Sequence, residues 1–201
     1  MSLKNTDLQY GSVAKWMHWI TALCFLVAYL SYYYGQFFTE PSTAGRRLVT
    51  QTHAMFGITA GLFVLPRLIW RYINPQPKLE DGPKWQHMAS HCAHWALYFF
   101  IIAMPLTGWL GYGGAKINFF WLFDIPTFKS TELFQWLVVE RMSMTFDTFE
   151  APVDYFHKVV AGGWLVWILI LVHIFAALYH HIVRRDNTLR KMIPGSNLED
   201  Q

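Results

Sequence analysis

Apolar residues along this chain gather into four long runs separated by polar and charged stretches. The runs occupy approximately residues 16–34, 52–70, 89–111 and 156–183. Crossing a hydrocarbon core of about 30 Å takes roughly 20 helical residues, and each run is near that length. The pattern predicts an all-α fold, a membrane-integral four-helix bundle built as one domain over residues 1–201. Trp16, Trp19, Tyr32, Tyr33 and Tyr34 mark the ends of the first span as aromatic belts. Pro66 and Pro105 fall inside the second and third spans, where neighbouring helices satisfy the carbonyls a proline frees. The third connection, about residues 112–155, is unusually long. Its "STELFQWLVVERM" reads as a surface helix, with an amphipathic helix lying on the membrane as the alternative.

Composition agrees with the pattern. Apolar residues make up 54% and charged residues 14% of the chain, against about 25% charged in an ordinary globular protein. Most of the Lys and Arg lie in the N-tail, the second connection and the C-tail, which puts both termini in the cytoplasm. With a net charge of only +3 and basic residues at segment ends, nucleic acid is excluded as a partner. Cys24 and Cys92 lie in apolar stretches and read as buried thiols. The first run is long and contains a histidine, so it stays in the mature protein rather than acting as a cleaved signal.

The chemistry lies in the histidines. At 1.5 Å per residue, His18, His94 and His173 fall about 24–26 Å from the outer boundary. His91 is one turn nearer the cytoplasm, and His180 and His181 are close to the inner interface. His53 and His157 open the second and fourth spans on the outer side. A single histidine in a span is often just hydrogen-bonded to a neighbouring helix. Two depth-matched layers drawn from different helices are instead how a bundle holds an iron cofactor. Two imidazoles per iron give a six-coordinate haem suited to electron transfer. No C-x-x-C-H occurs, so the haems are b-type.

The motifs "WMHW", "PRLIWR", "AHWALYFFIIAMPLTGW", "VHIFAALYHH" and "RRDNTLRKMIP", in this order over nearly the whole chain, resemble the bacterial cytochrome b561 family of di-haem, inner-membrane four-helix proteins. The resemblance implies that His18 and His173 ligate a cytoplasmic-side haem b, and that His53 and His157 ligate an outer one. One departure stands out. Family members usually separate the two ligands of the fourth helix by about fourteen residues, four turns on nearly one face. His157 and His173 are sixteen apart, which rotates one from the other by about 160° on an ideal helix. Either Gly162 and Gly163 host a π-bulge, or His157 precedes the regular helix.

Electron transfer across the membrane with ubiquinone as one partner is what the resemblance implies, superoxide being an oxidisable donor for some members. Arg67 and Arg71 read as partners of haem propionates or as positive-inside anchors. His94, His180 and His181 are the remaining polar groups for a quinone site on the cytoplasmic side. Two rival readings use the same helices. One is a haem b membrane-anchor subunit of a respiratory dehydrogenase or hydrogenase. The other is a transition-metal transporter, although transport sites favour the midplane and these histidines lie off it.

Overall fold

A computed structural model describes residues 2–198. Four helices are long and apolar enough to cross a membrane. They are α1 (Ser12–Phe38), α2 (Ala44–Ile73), α3 (Lys84–Leu110) and a continuous fourth span over Phe146–Arg184. Their outward faces carry Leu23, Leu26 and Leu30 on α1, and Leu62, Leu65 and Ile69 on α2, all exposed. Contiguous apolar exposure on that scale marks a surface that meets lipid rather than water. Each helix starts before its predicted span, where the hydrogen-bond ladder continues past the hydrocarbon, while α3 stops at Leu110, one residue short of the predicted end. Both termini lie at one end of the bundle, here the terminal face; the opposite end is the loop face.

Local chemistry sets the helix ends. Thr43 caps α2 by accepting from the Arg46 N–H, and Thr145 caps the fourth span by accepting from the Thr148 N–H. Pro66 and Pro105 sit inside α2 and α3 without ending them. Gly61 lets Pro105 press onto α2: a Cβ there would stand 2.8 Å from the proline Cγ. Consecutive helices α1, α2 and α3 pack as neighbours, and α3 packs on the fourth span. Large rings bridge α1 to the fourth span. Tyr29 packs against Trp167 at 4.8 Å with the rings tilted by 56°, and the Trp167 indole N–H donates to the Tyr33 hydroxyl.

The fourth span is not a uniform α-helix. It runs α5 (Phe146–Tyr155), a π-helical stretch (Phe156–Leu165), α6 (Val166–Tyr179) and a second π turn (His180–Arg184). It therefore begins ten residues before the expected start at 156, through Pro152. His157 lies inside the continuous helix, which excludes the alternative that it precedes it.

The long connection is structured and carries this bundle's one departure from all-α among the described residues. Strands β1 (Lys116–Phe119) and β2 (Phe123–Pro126) form an antiparallel hairpin. The "STELFQWLVVERM" segment forms α4 (Glu132–Phe134) and a π turn (Gln135–Arg141). Phe134 and Val138 from it pack with Phe128 and Phe146 into a small apolar core of their own. Cys24 is buried as expected, but Cys92 is exposed. In a lipid-facing bundle, an apolar position is as often on the outside of a helix as within it.

Candidate functional site

The loop-face site draws on all four spans. His53, on α2, and His157, in the π stretch, face one another with ring centroids 6.1 Å apart and planes at 88°. His53 Nδ1 lies 2.8 Å from the carbonyl oxygen of Ala28 on α1. A carbonyl only accepts, so Nδ1 carries the proton and Nε2 keeps its lone pair. His157 Nδ1 lies 2.9 Å from Thr107 Oγ1 on α3. That hydroxyl donates to the Ala103 carbonyl at 2.7 Å, so towards His157 it accepts. Both rings thus hold the tautomer a metal-binding imidazole needs, fixed by a hydrogen bond at the other nitrogen.

The space around this pair suits a large flat ligand. A cavity of about 660 Å³ is lined by both histidines with Phe25, Tyr32, Gly57 and Met104 among others. Gly57 lies one turn from His53, and a Cβ there would meet nothing within 4 Å. Gly108 does the opposite job: a Cβ would stand 3.0 Å from His157 Cε1, so glycine lets that ring lie against α3. A metal–imidazole bond of about 2 Å on each side, plus about 1 Å from nitrogen to ring centre, spans a centroid gap near 6 Å. The residues fit an iron held between them, with a macrocycle filling the cavity.

The sixteen-residue spacing has a structural answer. A π turn closes i→i+5 rather than i→i+4, so each turn absorbs one extra residue. The ten residues of Phe156–Leu165 make about two such turns, reducing the effective spacing from sixteen to about fourteen. Fourteen α-helical residues leave a rotation of only about 40°. Gly162 permits the stretch, since a Cβ there would stand 2.5 Å from the His157 carbonyl oxygen. Tyr29, on α1, donates its hydroxyl to the Gly162 carbonyl at 3.2 Å, tying α1 to the π stretch.

At the terminal-face layer, His18 and His173 stand 6.0 Å apart, ring to ring, at 54°. His94 joins them, 5.6 Å from His173. Arg67 lies 3.4 Å from His18 Nδ1 and 5.5 Å over the Tyr98 ring. A guanidinium only donates, so here His18 Nδ1 accepts and its proton sits on Nε2. This pair is brought together but not preset: Arg67 must leave His18 before that ring can offer Nε2 to a metal. Arg71 bonds the Gln76 side chain at 3.1 Å and opposes the burial that pushes the Tyr10 hydroxyl up. On the same helix end, the Trp70 indole nitrogen is buried with no hydrogen-bond partner, an unfilled donor.

Farther along the fourth span, His180 Nδ1 meets Asp186 Oδ2 at 2.5 Å and Thr188 Oγ1 at 3.2 Å. The chain turns back there because Arg185 adopts a left-handed φ of 54°, aiming the Asp186 N–H at the His180 carbonyl. His181 is exposed on the next position. The sequence pattern assigns Thr107, Ala28 and Asp186 no role; Thr107 lies in "AHWALYFFIIAMPLTGW" and Asp186 in "RRDNTLRKMIP", whereas Ala28 lies in no motif. Among the described residues no three or more His, Cys, Asp or Glu are grouped to hold a bare metal ion. Paired imidazoles suffice for haem, whose macrocycle supplies the other four ligands.

The description "prokaryotic cytochrome b561" matches residues 9–195 of the chain. Cytochrome b561 homolog 2 of Escherichia coli (strain K12) is 28% identical over 214 residues, covering 98% of this chain and 97% of the relative. Homolog 1 of the same organism is also 28% identical, covering 92% and 97%. A protein named probable superoxide oxidase CybB, from Yersinia pestis, is 24% identical, covering 96% and 98%. Facing histidines across a four-helix membrane bundle and a match over nearly the full length lead to one conclusion: the chain belongs to the prokaryotic cytochrome b561 family, membrane electron-transfer proteins that carry haem b.

Proposed function

We propose that the whole chain works as one transmembrane unit holding two haem b groups, and that it passes electrons from a donor at the loop face to ubiquinone at the terminal face. Superoxide is the donor the reading favours, supported by the likeness to the protein named probable superoxide oxidase. The balance is two superoxide, one ubiquinone and two protons giving two dioxygen and one ubiquinol. The observation that carries the reading is the His53–His157 pair, facing across a cavity with both Nδ1 atoms committed elsewhere. Each haem, when bound, would be held by two imidazoles and would supply a one-electron couple suited to electron transfer.

The chain supplies position, charge and protons. His53 and His157 hold one cofactor, His18 and His173 the other, roughly 20 Å farther along the bundle. Arg67, once off His18, and Arg71 pair with propionates at the terminal face. At the loop face Arg46 lines the cavity, while Lys158 beside it is neutralised by Asp154 at 2.8 Å. Arg46 is therefore the cation that steers an anion to the cavity. Of the quinone candidates, His180 is oriented by a carboxylate and presents Nε2 to a quinone carbonyl. His94 instead lies against His173, and His181 faces outward. The Lys and Arg bias supports termini in the cytoplasm of a bacterial inner membrane.

The test is reconstitution in liposomes with superoxide generated outside and ubiquinone in the bilayer. Haem reduction followed by ubiquinone-dependent reoxidation is expected, and neutralising Arg46 and Arg47 slows reduction more at low salt, where screening over about 10 Å is weakest. Haems that superoxide leaves oxidised would remove it as the donor. Reduced haems that ubiquinone fails to reoxidise would overturn the quinone-linked reading.

A further inference from the structure

The hairpin of β1 and β2 runs down the side of α2. Gln51 Oε1 accepts the Asn118 N–H at 2.8 Å, and Met55 Sδ accepts the Phe120 N–H at 3.0 Å. Two strand residues advance about 6.6 Å, while the four helix residues between these acceptors advance about 6 Å. The strand therefore keeps pace with the helix as it heads towards the terminal face. Phe120 ends with its ring on Phe56, 5.5 Å centre to centre.

That depth falls within the uncharged length of α2. Residues 48–66 of α2 carry no charged side chain between Arg47 and Arg67, a stretch of about 28 Å. Met55 lies eight residues in from Arg47, about 12 Å. The hairpin tip reaches the level of Met55, deeper than His53. At this level Trp121 is 72% and Leu122 79% exposed.

The tip is built for such surroundings. Residues 119–123 are Phe, Phe, Trp, Leu and Phe, while the charged pair Lys116–Asp124, at 2.6 Å, sits on the strands above the turn. Every turn N–H has an acceptor within the protein: Phe120 to Met55, Trp121 to Asn118 Oδ1 at 2.8 Å, and Leu122 to the Phe119 carbonyl at 3.0 Å. In water such donors need no internal partner; in hydrocarbon each must have one. Phe120 and Trp121 also hold left-handed φ of 49° and 58°, positions that favour Asn or Gly in a water-exposed hairpin. Trp121 there presents its ring outward while the Phe120 ring lies on Phe56, both at the cost of backbone strain.

We propose that residues 119–123 form a membrane-inserted anchor whose partner is phospholipid, at the acyl-chain boundary of the loop-face leaflet. The inference stands apart from the electron-transfer reading. It is tested with a nitroxide at Leu122→Cys, and separately at Trp121→Cys, in full-length protein whose Cys24 and Cys92 are replaced by alanine. Both sites are surface positions, and an unchanged haem spectrum identifies folded protein. In phosphatidylethanolamine–phosphatidylglycerol liposomes, collision with oxygen is expected to exceed collision with a water-soluble nickel chelate several-fold. The reverse is expected at Glu140→Cys, an exposed position in the same connection. Nickel collision as high as at Glu140 would place the tip in water and overturn the proposal. Low collision with both reagents would mean protein covers the tip, a second copy included, and would overturn it equally.

Discussion

His157 and His173 stand sixteen residues apart on one continuous helix, yet each meets a partner imidazole across the bundle, at 6.1 Å and 6.0 Å between ring centres. The π-helical stretch Phe156–Leu165 reconciles spacing with facing. If the extra turn width is what aligns them, removing Gly162 and Gly163 together removes the two residues the π turns absorb, returns the segment to α-helix with the ligands fourteen apart, and both haems are expected to remain. Haem content of the double deletion, read from absorption spectra, checks this; loss of either haem would refute it.

Thr107 lines the cavity and fixes which nitrogen of His157 is free. Thr107→Val keeps the shape and removes the acceptor. Loss of an outer partner typically weakens a histidine–metal site by about 10–100-fold. The variant is expected to bind haem yet release it about tenfold more readily, with the low-spin spectrum of the loop-face site broadened. His157→Ala, by contrast, should abolish that site altogether. Haem transfer to an external acceptor protein measures the difference.

Much of this was legible in the sequence, and what was not has physical reasons. Long apolar runs announce spans because hydrocarbon demands length, and depth along a helix follows from rise per residue, so the histidine layers and the proximity of His94 to His173 were readable. The spacing of His157 and His173 pointed at Gly162 and Gly163, because sixteen residues do not share a face. The hairpin had no such signal: its turn holds Phe120 and Trp121 where Asn and Gly are the usual signature. Pro152 and the nearby acids hid the early start of the fourth span, because a proline beyond the first turn removes a helix hydrogen bond and reads as a break. Ala28 and Thr107 act through a carbonyl and an ordinary helix hydroxyl, which carry no sequence pattern. The exposure of Cys92 shows the same gap, since apolar runs do not say which face meets lipid.

Asp186 lies just beyond the fourth span and orients His180. Burial works to raise its carboxyl, but hydrogen bonds from His180 and Thr188 outweigh this and hold it below the usual carboxylate range. A depressed value means the folded form favours the ionised carboxylate. Its contribution is therefore fully present above an ordinary Asp value of about 4 and is lost as pH falls through the lowered one. Exchange of the Thr188 amide, which donates to Asp186 Oδ1 at 3.0 Å, should accelerate only in that acid window. At neutral pH, Asp186→Ala is expected to slow quinone-dependent reoxidation roughly tenfold, and His180→Ala about 100-fold. Reoxidation at the wild-type rate in both would move the quinone site elsewhere.

The central claim is that two histidine pairs hold two cofactors in one electron path. Its most direct test is the haem count per chain in protein purified with ample haem supply, joined to low-temperature electron paramagnetic resonance. The account predicts two acid-extractable haem b per chain, both low-spin with bis-imidazole ligation. It also predicts a fall to one in Gly57→Leu, whose new side chain occupies space that a Cβ meets empty. A single haem in the wild-type chain, or a high-spin signal from either site, would contradict it.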